Sequence, residues 1–295
     1  MAKLLLGKEV VAPMLESLGV RCKALREKGC VPTIALVRLG NDASDLSYQG
    51  SVQKRAAEVG IDVRLCELPG DSAPDDLADC LRGLNADPSV HGVLLFRPLP
   101  KQLRSHEEEL CNLLAPEKDL DGMTELSLSS VFTGGKSGFA PCTPEACIRM
   151  LDAYGYDLTG LHAVVIGRSK VVGRPLAMLL LQRNATVTVC HTKSKNIPEL
   201  CRGADLIVTT AGVLRSLGRD HVSEGQIVLD VSMNWDPEKP TARGKGGMAG
   251  DADFAAVESV VAAITPVPGG IGTVTVPVLL THLVEAAEKA ASEKE

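Results

Sequence analysis

Gly167-Arg168-Ser169, with Gly173 six residues beyond Gly167, are the residues whose types and spacing point most directly to chemistry. They follow an apolar, β-branched run at 163–166, which reads as a buried parallel strand. Gly167 ends that run. Residues 172–182 then read as a helix with Gly173 and Pro175 in its first turn, where the N–H that proline lacks would have no intrahelical partner. A strand, a glycine turn and a helix N-terminus together make an anion site, because free N–H groups and the helix dipole face the ligand. The pyrophosphate of a dinucleotide suits such a site. The spacing is not the common G-x-G-x-x-G, so an ordinary βα turn stands as the alternative at this point.

Cys190-His191-Thr192-Lys193-Ser194-Lys195 follows the next predicted strand. In NAD-binding units an acidic residue here holds the ribose hydroxyls. This chain has a hydroxyl and two lysines instead. That pattern favours the extra ribose phosphate of NADP, with Thr192, Lys193 and Arg168 as contacts and NAD as the second choice. A solvated basic turn is the alternative, and His191 by itself reads as a structural histidine. Pro266-Val267-Pro268-Gly269-Gly270-Ile271-Gly272 should leave the sheet at the same edge, where ligands of open α/β sheets bind. Its glycines would let backbone approach a flat ligand, and Val267-Pro268 could be a cis bond. The alternative is a hinge before the last helix.

These residues need a sheet to position them. The first hundred residues alternate helix and strand: a helix at 9–28, strands at 33–37, 61–68 and 92–96, and helices at 46–59 and 74–85. Asn41-Asp42-Ala43-Ser44-Asp45 supplies N-cap chemistry before the second helix, and Gly60 a C-cap after it. A connector helix at 143–154 leads to a second alternating unit with strands at 163–166, 185–190, 205–209, 226–231 and 262–265. The alternation predicts an α/β protein with two parallel-sheet domains. The last helix, 274–291, has no core left to cover in the second unit and is expected to return to the first. The predicted domains are therefore 1–143 with 275–295, and 144–274.

Composition bounds the partners. The 295 residues are 45% hydrophobic and 23% charged, as in a soluble protein with a substantial core, and the formal net charge of -6 argues against nucleic acid. No apolar run reads as long enough to span a membrane, and the N-terminal apolar stretch is too short for a signal peptide. The nine cysteines are scattered. Cys142 and Cys147 lack zinc or redox spacing, so no metal site is predicted and reduced thiols in a cytoplasmic protein are expected.

Several motifs in order carry a resemblance over nearly the whole chain: Asp42-Ala43-Ser44 with Tyr48, Pro98-Leu99-Pro100, Lys118-Asp119-Leu120-Asp121-Gly122, Pro141-Cys142-Thr143-Pro144, Gly167-Arg168-Ser169 with Val172-Gly173-Arg174-Pro175, and Pro266-Val267-Pro268-Gly269-Gly270. Together they resemble the bifunctional methylenetetrahydrofolate dehydrogenase/methenyltetrahydrofolate cyclohydrolase family of one-carbon metabolism and purine biosynthesis. The resemblance implies an N-terminal folate domain, a Rossmann-like NADP domain, an active site in the cleft between them, and a homodimer. It implies that Gly167, Arg168, Ser169, Gly173, Thr192, Lys193 and Met233 bind NADP. Tyr48 would pack along the tetrahydrofolate substrate and Asp121 would hydrogen-bond the pterin, as suits a carboxylate facing adjacent N–H donors. The backbone of Pro268, Gly269 and Gly270 would lie against the reacting groups. Two small departures are Ser232, where the family prefers Gly, and Thr273, where it usually has Pro.

Two larger departures concern proton transfer. The family's catalytic lysine lies four residues after the tyrosine, and here that position is Val52. The family's supporting Gln lies two residues before the Pro-Leu-Pro motif, and here that position is Phe96. On a helix, i+4 lies about 40° from i whereas i+6 lies about 120° away on the other side, so Lys54 points off the Tyr48 face. Arg55 returns to that face, but a guanidinium stays protonated and cannot act as a base. Cyclohydrolase action needs a base to activate water; hydride transfer mainly needs orientation and the cofactor. The expectation is a methylenetetrahydrofolate dehydrogenase with weak or absent cyclohydrolase activity. The alternatives are an enzyme retaining both activities to make formyltetrahydrofolate, and a folate- or nucleotide-binding homologue without turnover.

Overall fold

In a computed structural model that describes residues 1–241 and 244–293, the chain divides into two compact units. One comprises Met1–Val11 and Thr143–Thr275; the other comprises Ala12–Cys142 and Val276–Glu295. In chain order the elements are β1 (Lys3–Leu4), α1 (Gly7–Glu27), β2 (Thr33–Leu39), α2 (Ala43–Val59), β3 (Asp62–Leu68), α3 (Pro74–Ala86), β4 (Gly92–Leu95), α4 (Glu107–Cys111), α5 (Glu125–Thr133) and α6 (Cys142–Ala153). There follow β5 (His162–Ile166), α7 (Gly173–Gln182), β6 (Thr186–Cys190), α8 (Ile197–Arg202), β7 (Leu206–Thr209), β8 (Ile227–Asp230), β9 (Asn234–Thr241), β10 (Gly244–Ala249), α9 (Phe254–Glu258), β11 (Ala263–Ile264) and α10 (Thr275–Ser292).

The unit holding residues 12–142 is built on a three-stranded parallel sheet in the order β3-β2-β4. Its central strand β2 is apolar except for Thr33 and Arg38 and is almost wholly buried, as a strand covered on both faces must be. Asp42 caps α2 by accepting the Ser44 N–H at 2.8 Å, and Gly60 closes the helix in the left-handed conformation. Leu77, Leu81 and Leu84 of α3 pack with Val37, Leu95, Leu99 and Leu103 into one core. The loop 116–122 is tied to β4: Val93 donates its N–H to the Lys118 carbonyl at 2.8 Å, and Asp119 bridges to Val93. Asp119 is fully buried and accepts from the Met123 and Thr124 N–H groups and the Ser127 hydroxyl, which fixes the turn carrying Asp121.

The other unit is a six-stranded parallel sheet in the order β1-β11-β8-β7-β5-β6. Its inner strands β7 and β8 are buried throughout. The expected assignment of residues 1–11 to the folate domain is corrected here, because β1 pairs in parallel with β11, Lys3 beside Ala263 and Leu4 beside Ile264. Two residues carry no period of their own; only the partner strand makes them a strand. Helices α4 and α5 and the antiparallel hairpin of β9 and β10 were not anticipated either.

The membrane reading also needs correction. Ile271–Ser292 is long and apolar enough to cross a bilayer by length and composition, with a mean hydropathy of 1.2, but 72% of that window is buried inside the protein. Burial, not lipid, accounts for its apolar character. All nine cysteines are free thiols, six of them buried.

Candidate active site

In the nucleotide-binding unit the parallel register brings the loops that follow the strands to one edge. Ile166 stands beside Cys190 and Thr209, and Thr209 beside Asp230. Gly167 turns there at φ 132°, a conformation open to glycine, and donates its N–H to the Cys190 carbonyl at 2.9 Å. Gly173 lies so close beneath this turn that a Cβ would stand 2.2 Å from the Gly167 carbonyl oxygen. The Ser169 hydroxyl accepts the Val172 N–H at 3.0 Å and so caps α7. Arg168, Arg174, Thr192, Lys193 and Lys195 are exposed around this edge, and no carboxylate occurs between 190 and 195. That donor set fits a dinucleotide carrying an additional phosphate.

Next to it, Asp251 holds two loops together. Its buried carboxylate accepts the Thr209 and Ser232 hydroxyls, each at 2.8 Å, and the Asn234 side-chain amide at 3.0 Å. It also accepts the backbone N–H groups of Ala211, Gly212 and Val213 at 2.7, 3.2 and 2.8 Å. The Ser232 hydroxyl additionally accepts the Gly212 N–H at 3.1 Å, which adds a tie between the loops. Asp230 accepts from the Asp251 and Ala252 N–H groups, and burial pushes its carboxyl up to about 6.

Met233, named from the sequence, is exposed, and its sulfur lies 3.6 Å from where a Gly272 Cβ would stand. Val267-Pro268 is a cis bond, Pro268 is exposed, Gly269 takes φ 109° and Gly270 is buried. Thr273 closes this loop by donating its hydroxyl to the Gly270 carbonyl at 2.8 Å. Lys239 of β9 donates to the Val267 carbonyl at 2.9 Å and to the Met248 carbonyl, which pins the hairpin to the loop.

In the other unit, Tyr48 is half-buried on α2 and its ring meets the Phe96 ring edge-on, with centroids 6.0 Å apart and an interplanar angle of 72°. Such aromatic pairs add attraction beyond area burial. Val52, one turn along α2, is 0% exposed and Phe96 6%. Lys54 is exposed, and Arg55 pairs with Glu58 at 2.7 Å. Asp121 keeps 29% of its side chain exposed, within reach of a ligand, and its Oδ2 lies 3.6 Å from the Arg97 Nη2. Burial pushes the Asp121 carboxyl up from its ordinary value, while Arg97, Cys142 and His282 pull it back and Asp119 adds to the rise. His282 stacks on Phe139 at 4.6 Å and bonds the Leu120 carbonyl through Nδ1 at 2.8 Å.

Sequence reasoning missed Asp251 and Arg97. The only signals were a carboxylate after a lone glycine (Gly250-Asp251) and a cation directly after an apolar strand, neither of which marks a site without coordinates.

Comparison with known proteins also matches the chain in two parts. The profile of the tetrahydrofolate dehydrogenase/cyclohydrolase catalytic domain matches residues 5–121, and that of the family's NAD(P)-binding domain matches residues 141–291. The bifunctional protein FolD of Carboxydothermus hydrogenoformans is 42% identical over 288 residues, 98% of each chain. The crystal structure of the bifunctional FolD methylenetetrahydrofolate dehydrogenase/cyclohydrolase from Campylobacter jejuni superposes with a TM-score of 0.91 at 37% identity, covering 98% of this chain and 99% of that one. The Trypanosoma brucei dehydrogenase-cyclohydrolase, solved with NADP and an inhibitor, gives 0.89 at 27% identity over 98% of both chains. The chain belongs to the tetrahydrofolate dehydrogenase/cyclohydrolase family.

Proposed function

We propose that this chain is an NADP-dependent methylenetetrahydrofolate dehydrogenase that releases methenyltetrahydrofolate with little or no hydrolysis of it. One observation carries the second half of this reading. Val52 and Phe96, at 0% and 6% exposure, occupy the positions where the family resemblance places a lysine and its supporting glutamine. Neither side chain can take or give a proton, and the Phe96 ring closes on Tyr48.

The dehydrogenase half rests on family membership and on groups that remain. NADP, when bound, supplies the hydride acceptor. Gly167, Arg168, Ser169, Gly173, Thr192, Lys193 and Met233 hold it, the basic turn taking the ribose phosphate. Tyr48 and Asp121 hold the folate, and Pro268, Gly269 and Gly270 present backbone to the reacting groups. The protein works as a homodimer in the cytoplasm and serves one-carbon metabolism, including purine biosynthesis. In support of a second copy, β3 pairs among the described residues only with β2, at the edge of its sheet, and carries the exposed Leu65.

The test uses purified chain in two assays. With methylenetetrahydrofolate and NADP, reduced nicotinamide should accumulate. With methenyltetrahydrofolate alone, decay should follow the buffer rate. Hydrolysis well above that rate overturns the reading and favours the second one, that both activities persist; the bifunctional names of the relatives speak for that alternative. Tight NADP binding without folate-dependent reduction identifies a binding protein instead. The cofactor site has its own check. Gly173→Ala must displace the Gly167 turn, and should weaken NADP binding in a fluorescence titration by at least about tenfold, or 1.4 kcal/mol. Unchanged affinity would remove this turn from the cofactor site.

A further inference from the structure

Arg97 carries a buried nitrogen that no described residue satisfies. Its side chain is 20% exposed and its Nε–H finds no acceptor among the described residues. Its Nη2 lies 3.6 Å from the Asp121 Oδ2. Other groups nearby are committed: Asp119 accepts from Met123, Thr124 and Ser127. Buried donors are nearly always paired, so an orphan beside a partly exposed carboxylate calls for an explanation. A guanidinium stays charged and offers its N–H groups in a fixed plane, so the exposed part of Arg97 is a directional donor beside a carboxylate acceptor.

Donor beside acceptor is the complement of one chemical edge. In the pyrimidine ring of a folate, a ring N–H stands between an exocyclic amino group and an oxo group. The two N–H donors match the two oxygens of Asp121. The oxo oxygen next to them needs a donor. We propose that Arg97 is a substrate-binding residue that donates to this oxo oxygen, and with Asp121 selects the amino-oxo form of the ring over its diamino analogue. The assignment rests on the reading above that Asp121 holds the pterin. It also gives Arg97 a second effect. Asp121 is faced by Arg97, Cys142, His282 and Asp119, and of these Arg97 does most to oppose the rise that burial imposes. Arg97 thereby counters the pull of burial toward the protonated carboxyl.

Arg97→Met keeps the length of the side chain and removes the donor and the charge; Arg97→Lys keeps the charge and loses the planar donor set. For each, KM and kcat for methylenetetrahydrofolate are measured across pH at saturating NADP. Inhibition is measured with a non-reacting amino-oxo pteridine and its diamino counterpart. Arg97→Met should raise KM by about tenfold or more with a smaller change in kcat, since a site built to hydrogen-bond a group loses it strongly when unpaired. The acid limb of kcat/KM should move to higher pH. The parent should prefer the amino-oxo ligand, Arg97→Met should lose that preference, and Arg97→Lys should regain part of it; NADP affinity should stay unchanged. Should Arg97→Met fail to fold, Arg97→Lys decides, through a raised KM and a reduced preference at an unmoved acid limb. Unchanged KM and preference overturn the proposal, as does a parallel loss of NADP affinity. If the parent binds neither pteridine, the folate reading itself fails; if it binds and the variants match it, only the role of Arg97 fails.

Discussion

Asp251→Ala should lower the stability of the chain by about 2–5 kcal/mol, the cost of leaving buried donors without their shared acceptor. Six donors converge on this carboxylate from the loops after β7 and β8. The alanine leaves hydroxyls that can turn elsewhere and an N–H of Gly212 that keeps the Ser232 hydroxyl. It leaves the Ala211 and Val213 N–H groups without their acceptor, and each such loss costs roughly 1–3 kcal/mol where water cannot enter. Thermal unfolding should shift down by roughly 5–10 °C, and NADP affinity should fall with it because the loop pair loosens. Asp251→Asn keeps the shape but turns an amide NH2 toward donors, so an intermediate loss is expected. A melting temperature within a degree of the parent for Asp251→Ala would show that the loops hold themselves.

Restoring a proton-transfer pair is the other large effect expected. Val52→Lys alone places an ammonium at a position with no exposure, with an apolar ring at position 96 where a polar partner is needed. Phe96→Gln alone removes an aromatic ring packed on Tyr48 and buries an amide. Each single substitution should destabilise by about 2–4 kcal/mol. The double variant should be less destabilised than the sum by about 1–3 kcal/mol, because each new polar group supplies the other's partner. A desolvated lysine has its pKa lowered toward the range useful in a base. Methenyl hydrolysis by the double variant should then exceed that of the parent by about a hundredfold, the low end for general-base catalysis. Both numbers come from paired chemical denaturation and absorbance decay. A double variant that folds, oxidises methylenetetrahydrofolate and still hydrolyses nothing would mean that these two positions are not what separates the activities.

Much of the architecture was legible because parallel strands declare themselves. The runs at 33–37, 163–166, 205–209 and 226–231 are apolar and β-branched, as strands buried on both faces must be. The elements that went unread lack that signal. β1 is two residues long and exists through its pairing with β11. The β9 run Asn234-Trp235-Asp236-Pro237-Glu238-Lys239 has charges and a proline where alternation would be sought. In α5, Leu126 and Phe132 face solvent, so no apolar face repeats, although the Thr124 cap that bonds the Ser127 N–H was there to be noticed. The site divides in the same way. Gly167 and Gly173 could be read because a tight turn before a helix needs those residue types. Asp251 and Arg97 could not, since what singles them out is the number of donors meeting one carboxylate and the lack of any acceptor for one nitrogen.

The edge of the Phe96 ring on Tyr48 also bears on the direction of carbon flow. An enzyme that hydrolyses its own methenyl product removes it at once, and every turnover is pulled forward. A chain that stops at the methenyl stage leaves its product available for the reverse hydride transfer. Its net direction then follows the ratio of oxidised to reduced nicotinamide, and it can serve oxidation or reduction of the one-carbon unit. Commitment toward the formyl level passes to whichever separate hydrolase meets the released cation. On the proposed reading, the apolar ring of Phe96 would move the control point of the sequence from this protein to the next.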